Sequence, residues 1–238
     1  MLHIVDLSHR LEPGKQRFKL EIKQAPVEEW VPEYKVPTGE WYIMEDLEVC
    51  THVGTHVESP YHALRNGKHV ADMDIRKLIG EAVVVDFFDK GYQDAITRSE
   101  IEKRGEHIRQ SDIVLIRTGL SRYYGTPQYL RPYVETEAIE WLIRRQIKCL
   151  GIDCSGIENR AADSHEINHR TLFNHDIPLI EDINNLDKLK ETRVFFIALT
   201  LPIEGLDASL IRPIAIEPLA AIRPLAEILS EEAVWEGF

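Results

Sequence analysis

Cysteine and long apolar runs are both scarce in this chain of 238 residues. The three cysteines, Cys50, Cys149 and Cys154, are an odd number without close pairing, which argues against a disulfide framework and against a zinc ribbon. No apolar run approaches the roughly 20 residues that a membrane span needs. The segment MLHIVDLSHR lacks the basic and apolar regions of a signal peptide. We therefore expect a cytoplasmic protein without a membrane partner.

An excess of positive charge is also absent. The formal net charge is −12 at pH 7, and the sequence shows no basic stripe with interleaved aromatic residues. A negative field repels phosphate backbones, so we expect no nucleic-acid partner.

Short segments rich in β-branched and aromatic residues predict strands. They occupy residues 3–8, 81–88, 112–119, 147–153 and 193–203. Three of them are nearly continuous in apolar residues, which is typical of strands buried on both faces. The early segment 41–58 could add antiparallel pairing, and the irregular stretch 123–133 predicts an ordered surface excursion or an interface.

Helical segments are predicted between these strands. A capping box at Thr97 marks one helix start, and residues 135–146 place acids first and basic residues last along an apolar stripe. Further helices are predicted near 165–175 and 218–229. Strands that alternate with helices indicate an α/β fold, and with no repeat or linker visible we expect one domain over residues 1–238.

Three of the ten histidines stand in the segment THVGTHVESPYH, residues 51–62. His52, Gly54, His56 and Glu58 share parity, so they face the same way in an extended chain. A straight strand would separate His52 from His56 by about 13 Å, too far for two imidazoles on one ion. Gly54, midway between them, permits a bend. We therefore predict a bent strand or loop that offers imidazole and carboxylate ligands to zinc, manganese or iron.

Additional histidines extend this prediction. His62 lies beyond Pro60, near enough to share the site, and a histidine beside a metal-activated water is a candidate general acid and base. Ligands must also come from another segment, and the histidines alone do not decide between His165, His169 and His175. The other histidines considered, which have no partner nearby in sequence and are expected to be structural or exposed, are His3, His9, His69 and His107.

The segment HVGTHVESPYH resembles the H-x-G-T-H-x-D-x-P-x-H signature of the cyclase family of metal-dependent hydrolases, which includes bacterial kynurenine formamidase and isatin hydrolase. Segments 112–119, 138–157, 169–186 and 195–216 resemble later blocks of that family in similar order. The resemblance implies a swivelling β/β/α domain with a mixed sheet, assembled as a homodimer or homotetramer. It also implies hydrolysis of an amide C–N bond in a small-molecule substrate by a metal-activated water.

The resemblance also implies roles for individual residues. His62 matches the catalytic acid/base, and Glu58 matches a carboxylate that can bridge two metals. The cofactor would be a divalent metal, Zn or Mn, with one or two ions per subunit. The metal ligands that the resemblance implies are His52, His56, Glu58, His169 and Glu181.

The chain departs from the family pattern at two places. Glu58 stands where the family usually has Asp, which shifts the carboxylate by about a bond length and makes a single metal ion an alternative. Residues 11–20, LEPGKQRFKL, lack the tryptophan of the WPGD-like stretch with which kynurenine formamidases help bind their aromatic substrate. This second departure weakens formylkynurenine as the substrate without affecting the hydrolytic chemistry.

Other functions remain as alternatives at this point. The segment DCSG, residues 153–156, suggests a cysteine or serine hydrolase, but no histidine adjoins Cys154 in sequence and no G-x-S-x-G motif occurs, so a packed small residue is favoured. A non-catalytic metal-containing domain for small ligands is a second alternative, although a closed structural site often has cysteine ligands. A hydrolase or dehydratase of another small carbonyl substrate is a third. Arg212 and Asp153 stay outside the predicted site, Arg212 as a structural ion pair.

Overall fold

A mixed β-sheet organises the chain, whose structure, a computed structural model, describes residues 1–161 and 167–222. The strands in these ranges are β1 His3–Asp6, β2 Leu20–Pro26, β3 Ile43–Val49, β4 His56–Glu58, β5 Ile79–Asp86, β6 Ala95–Ile96, β7 Ile113–Arg117, β8 Tyr133–Val134, β9 Cys149–Ile152, β10 Leu179–Glu181, β11 Arg193–Ile197, β12 Ala208–Leu210 and β13 Ile214–Glu217. The α-helices are α1 Val27–Trp30, α2 Arg98–Arg104, α3 Thr136–Arg144 and α4 Ile167–Phe173. Short 3-10 helices cover Pro60–His62, Val70–Asp72, Ile75–Leu78, Leu120–Tyr123, Leu186–Lys188 and Leu219–Ala221.

Nine strands form the main sheet in the order β1-β13-β11-β5-β7-β9-β10-β4-β12. The central strands β5, β7, β9 and β10 are parallel, and antiparallel strands complete the sheet on both sides. The predicted mixed α/β fold is therefore confirmed. The antiparallel pairing considered for 41–58 is also present, because β3 pairs with β2 and β4 joins the main sheet.

The central strands are buried on both faces, as their continuous apolar sequences predict. Alternate residues of β5 enter different hydrophobic clusters: Val83 packs with Ile101, Leu142 and Leu172 of the α-helices, whereas Val84 packs in the cluster on the opposite face. Since successive side chains of a strand point to opposite faces, one apolar segment serves both cores.

The helix predictions agree with the structure where it can be compared. Thr97 caps α2 through the reciprocal box with Glu100, and α3 and α4 fall within the predicted segments. The helix predicted near 218–229 coincides with a 3-10 helix only at Leu219–Ala221, and the part from 223 onward lies outside the described residues. No helix in the described part of the chain is long and apolar enough to cross a membrane.

A two-stranded arm, formed by β2, α1 and β3, stands apart from the main sheet. Most residues of both its strands are exposed, including Ile22, Met44 and Leu47, and Trp41 beside it is 76% exposed. An isolated pair of strands is only marginally stable in water. Packing of another surface against the exposed apolar side chains would stabilise the arm.

Candidate metal centre

Strand register assembles the first part of the candidate site. β4 lies between β10 and β12, and His56 is directly opposite Glu181 of β10. Directly opposite residues on antiparallel strands share a face, with Cβ atoms about 5 Å apart. Glu58, two residues further along β4, lies on the same face as His56 and is only 2% exposed. The sheet thus brings an imidazole and two carboxylates together without help from any loop.

The predicted bend brings His52 to the same place. Residues 51–55 form a turn before β4, and Gly54 has φ +66°, in the left-handed region that favours glycine. A Cβ at Gly54 would also lie 2.5 Å from Leu11 Cδ2. The turn places His52 Nδ1 3.1 Å from His56 Nε2, where a straight strand would have separated the two rings.

Glu58 is the centre of the cluster. Its Oε1 lies 3.1 Å from His52 Nδ1 and 3.5 Å from His56 Nε2, and its Oε2 lies 3.2 Å from His169 Nε2 of α4. Glu181 approaches from β10, with Oε1 3.6 Å from His169 Nε2 and Oε2 3.9 Å from His56 Nε2. All five residues predicted as metal ligands are therefore brought together.

His62 lies on the solvent side of this cluster. It ends the 3-10 helix Pro60–His62 that follows β4, and its side chain is 24% exposed. Its Nε2 lies 3.8 Å from Glu58 Oε1, while its ring centroid is 5.8 Å from that of His169. Its ring nitrogens also lie within 4.8 Å of possible ligand atoms of Glu58 and His169, and of His52 and Asp207, so the position is compatible with metal binding as well as with proton exchange.

Acceptors behind the histidines fix the orientation of each ring. His56 Nδ1 donates to the carbonyl oxygen of Gly54 at 2.8 Å, and His169 Nδ1 donates to Glu158 Oε1 at 2.7 Å. Both rings therefore direct Nε2 toward Glu58. Such acceptors hold metal-binding imidazoles in one tautomer and raise their basicity.

Asp207 is a member of the site that the sequence analysis did not assign. Its Oδ2 accepts hydrogen bonds from His52 Nε2 at 2.9 Å and from His62 Nδ1 at 3.0 Å, and its Oδ1 accepts one from Thr51 Oγ1 at 3.0 Å. Asp207 immediately precedes β12, which pairs with β4. The only signal in the sequence was its position in the DASLIRP block that resembles the family.

The charges of the cluster suit a bound cation. Burial opposes ionisation of His52, but hydrogen bonds to Asp207 and Glu58 outweigh it and raise the pKa of His52 to about 10. Likewise, burial of His169 is outweighed by Glu158, Glu181 and Glu58, which hold its pKa well above the usual range. The buried carboxylates thus require positive charge, and a divalent cation can replace protons in supplying it.

The unsatisfied atoms give a direct test of the fit. Among the described residues, the buried Glu58 Oε2 has no hydrogen-bond partner, although His169 Nε2 lies 3.2 Å away. Ring nitrogens of His52 and His56 also face each other at 3.1 Å. Converging lone pairs with an orphaned carboxylate oxygen, in a set of nitrogen and oxygen donors, are what a zinc or manganese ion requires.

A pocket of about 400 Å³ opens beside His52. Tyr124 and Tyr129, from the irregular stretch 123–133, form part of its wall, and Tyr129 donates a hydrogen bond to Asp182 Oδ1. The stretch predicted as a surface excursion or an interface therefore faces the candidate site. Among the described residues, those that line it are Lys15, Gln16, Arg17, Phe18, His52, Val53, Tyr124, Gly125, Thr126, Tyr129, Ser155, Arg160 and Asp182.

Several residues weighed in the sequence lie outside the cluster. His175 Nδ1 donates to the carbonyl oxygen of Thr171, and His165 lies outside the described residues. Arg212 pairs with Asp6 at the surface, as predicted. Cys154 and Asp153 are buried: burial raises the pKa of the Cys154 thiol, and Asp153 accepts hydrogen bonds from residues 118 and 119.

Three of the histidines predicted to be structural or exposed have partners in the fold. His3 Nδ1 lies 2.7 Å from Glu217 Oε1, His9 stacks on Tyr124 with ring centroids 4.0 Å apart, and His69 packs edge-on against Tyr61. Each contact joins residues that are distant in sequence or separated by a turn, so the local sequence gave no indication of it. None of the three side chains belongs to the metal-ligand groups among the described residues.

Comparison with known proteins assigns the chain to a family. The Cyclase family model matches residues 5–159. The chain belongs to the Cyclase family. Kynurenine formamidase of Bacillus thuringiensis subsp. konkukian (strain 97-27) is 28% identical over 174 residues, covering 73% of this chain and 79% of the relative. Kynurenine formamidase of Erythrobacter litoralis (strain HTCC2594) is 27% identical over 211 residues, covering 89% and 92%.

A solved structure shows that the Cyclase fold extends over nearly the whole chain. An isatin hydrolase bound to the product analogue thioisatinate matches with a TM-score of 0.77 at 22% identity, covering 91% of this chain and 93% of that one. The similarity establishes a shared fold, and the expectation of a cyclase-like domain with a mixed sheet is confirmed.

Proposed function

We propose that this Cyclase-family chain hydrolyses an amide C–N bond of a small molecule at a divalent metal centre. The observation that carries the proposal is the buried Glu58, whose two oxygens face imidazole nitrogens supplied by separate segments of the chain. The kynurenine formamidases, at 27–28% identity over most of the chain, support an enzyme that acts on non-peptide C–N bonds.

The ligand atoms fall into two groups around Glu58. His52 Nδ1, His56 Nε2 and Glu58 Oε1 would hold one ion. Glu58 Oε2 and His169 Nε2, with Glu181 Oε1 3.6 Å from that nitrogen, would hold a second. An ion held there supplies Lewis acidity, which activates water near neutral pH and polarises the substrate carbonyl. We propose one or two ions of zinc or manganese, because imidazole and carboxylate donors suit both metals.

His62 would transfer the protons of the reaction. Asp207 accepts from Nδ1 of His62, so Nε2 is directed toward the centre with its lone pair free to accept a proton. In the proposed reaction, His62 takes a proton from the attacking water and then delivers it to the leaving nitrogen. The His62 side chain is 24% exposed, so a substrate can reach it from the solvent.

Two substitutions separate proton transfer from metal binding. Replacement His62→Ala should lower kcat for formanilide by about 10²–10⁴-fold and leave the metal content unchanged. Replacement Glu58→Ala should remove both metal and activity, and exposed His107→Ala serves as the matched control. Metal content is measured by elemental analysis of protein purified without added metal, and turnover by release of aniline.

Each outcome bears on a different part of the proposal. Full activity in His62→Ala would contradict the role of His62. A wild-type protein that retains metal but turns over none of a broad panel of formamides and cyclic amides would favour the alternative of a non-catalytic ligand-binding domain. Inhibition by thiol reagents but not by chelators would instead favour Cys154, whose complete burial argues against it.

We also propose a cytoplasmic homodimer or homotetramer that forms through the arm of β2, α1 and β3. The exposed apolar side chains of the arm, with Trp41 beside it, support this assembly, and the free Cys50, Cys149 and Cys154 suit a reducing compartment. Light scattering should give the mass of an oligomer, and Leu47→Lys should lower that mass. A monomeric wild-type protein would contradict the assembly.

A further inference from the structure

The pocket beside the candidate metal centre contains three basic side chains, although the chain carries a net charge of −12. Lys15 and Arg17 come from the loop before β2, and Arg160 comes from the segment after β9. The acidic member of its described lining is Asp182, whose carboxylate accepts a hydrogen bond from Tyr129. The pocket therefore presents a locally positive wall on a globally negative protein.

Contacts with neighbouring side chains hold the basic loop over the pocket. Gln16 Oε1 accepts a hydrogen bond from Tyr124 Oη at 2.9 Å, and Tyr124 in turn stacks on the ring of His9. The Arg17 guanidinium lies 5.0 Å from the ring centroid of Phe18, a cation–π contact. These contacts order the segment from Lys15 to Phe18, whose residues line the cavity.

The two arginines are the cations available to a ligand. Lys15 is paired with Glu12 at 2.6 Å, whereas neither Arg17 nor Arg160 pairs with a carboxylate of residues 1–161 or 167–222. A planar guanidinium binds a carboxylate through two parallel hydrogen bonds. A neutral amide can accept a single hydrogen bond from a guanidinium, whereas a substrate with a carboxylate gains charge attraction and a fixed orientation as well.

We propose that Arg17 and Arg160 determine specificity and select amide substrates whose acyl or amine part carries a carboxylate. The proposal rests on the proposed amide hydrolysis and deepens it. The loop that carries Arg17 has no tryptophan and contributes Lys15, Gln16, Arg17 and Phe18 to the pocket wall. Phe18 and Tyr124 add apolar surface beside these charges for the rest of the substrate.

The test compares matched substrates on the metal-loaded enzyme. The selectivity is the ratio of kcat/KM for 3-formamidobenzoate to that for formanilide. An exposed ion pair strengthens binding by at most about fivefold. Two arginines therefore predict a kcat/KM ratio of about 10 in the wild type. Variant Arg17→Glu should lower the ratio about tenfold through KM, and Arg160→Gln by about threefold. Raising NaCl from about 20 to about 300 mM should also lower it.

Lys103→Glu is the matched control for Arg17→Glu, because it makes the same change in net charge at an exposed position on α2. The control should leave the ratio of the two kcat/KM values unchanged. This result would separate the effect of the charge at the pocket from the effect of the net charge of the protein. A wild-type preference for formanilide, or an unchanged ratio in Arg17→Glu, would overturn the proposal.

Binding gives a second readout that does not depend on turnover. Calorimetry on the protein as purified compares 3-phenylpropionate with 3-phenylpropionamide, in the wild type and in Arg17→Glu. The carboxylate should bind more weakly to the variant by about tenfold, since any metal contribution is common to both proteins. If the wild type binds the carboxylate selectively but hydrolyses no amide, the proposed function is refuted and this inference is upheld. If the enzyme hydrolyses amides but the carboxylate binds equally well to the wild type and to Arg17→Glu, the proposed function is upheld and this inference is refuted.

Discussion

Asp207→Asn is the substitution that tests the arrangement of the site most directly, because one carboxylate oxygen serves both a proposed metal ligand and the proposed acid/base. Asp207 Oδ2 accepts from His52 and from His62, and these two hydrogen bonds hold the pKa of Asp207 far below its usual value. An asparagine can keep one oxygen toward both rings and turn its NH2 group toward the Thr51 hydroxyl, but it lacks the negative charge of the carboxylate. Both imidazoles therefore exchange a charge-assisted hydrogen bond for a weaker neutral one.

The size of the effect follows from these contacts. Hydrogen bonds to charged groups contribute about 1.5–3 kcal/mol each when buried, and the Asp207 side chain is 33% exposed, which reduces that value. Loss of one orienting contact behind a metal-site histidine typically lowers affinity or activity by about 10–100-fold. We therefore expect kcat of Asp207→Asn to fall by about 10-fold through His62, and metal affinity to fall similarly through His52, at the lower end of this range because the contacts are weakened rather than removed.

The assay measures both quantities on the same preparation, with aniline release from formanilide for kcat and metal titration for affinity. Thr51→Val removes the donor to Asp207 Oδ1 but keeps both imidazole contacts, so its effect should stay within about threefold. Asp89→Asn breaks an exposed pair with Arg104 and should change neither quantity. Wild-type kcat and metal affinity in Asp207→Asn would refute the reasoning.

Three further predictions concern other parts of the chain. Glu58→Asp restores the family's usual residue but withdraws the carboxylate by about 1.5 Å, so metal titration should show at least about tenfold weaker binding, and equal binding would contradict the geometry. Gly67→Ala would drive a methyl group into the Pro60 backbone and should cost about 1–3 kcal/mol in urea unfolding, whereas Gly91→Ala should not destabilise. Burial lowers the pKa of His9 from 6.5 to about 4. Between these two pH values, the folded state therefore binds fewer protons than the unfolded state. Stability should fall by up to about 3 kcal/mol as the pH drops through this range, and His9→Phe should remove that component; an unchanged pH slope would refute it.

The sequence predicted most of the fold because its patterns are local. Continuous apolar segments became the central strands β5, β7 and β9, and the capping box at Thr97 became the start of α2. The order of the strands could not be predicted in this way. β4 lies between β10 and β12, and these pairings join segments more than 100 residues apart. Such contacts depend on tertiary packing, which no local pattern records.

The candidate site divides in the same manner. The bend at Gly54 could be predicted, because the spacing of His52 and His56 requires it for a shared ion. The selection of His169 over the neighbouring histidines needed the family resemblance, since only the placement of α4 turns that ring toward Glu58. Asp207 was missed because a single aspartate before a short strand has no periodicity or spacing that would distinguish it.

The proposed metal ligands lie mainly on strands and the pocket wall lies partly on a loop. This separation explains how one family can act on different substrates. His56, Glu58 and Glu181 lie on paired strands, where neighbouring hydrogen bonds fix their positions within the narrow tolerance of a metal site. The pocket wall that carries Arg17 lies on a loop, where substitutions change the charge offered to a substrate without moving the strands. Substitutions that alter the strand register should therefore change the reactivity, whereas substitutions in the loops should change which substrate is accepted.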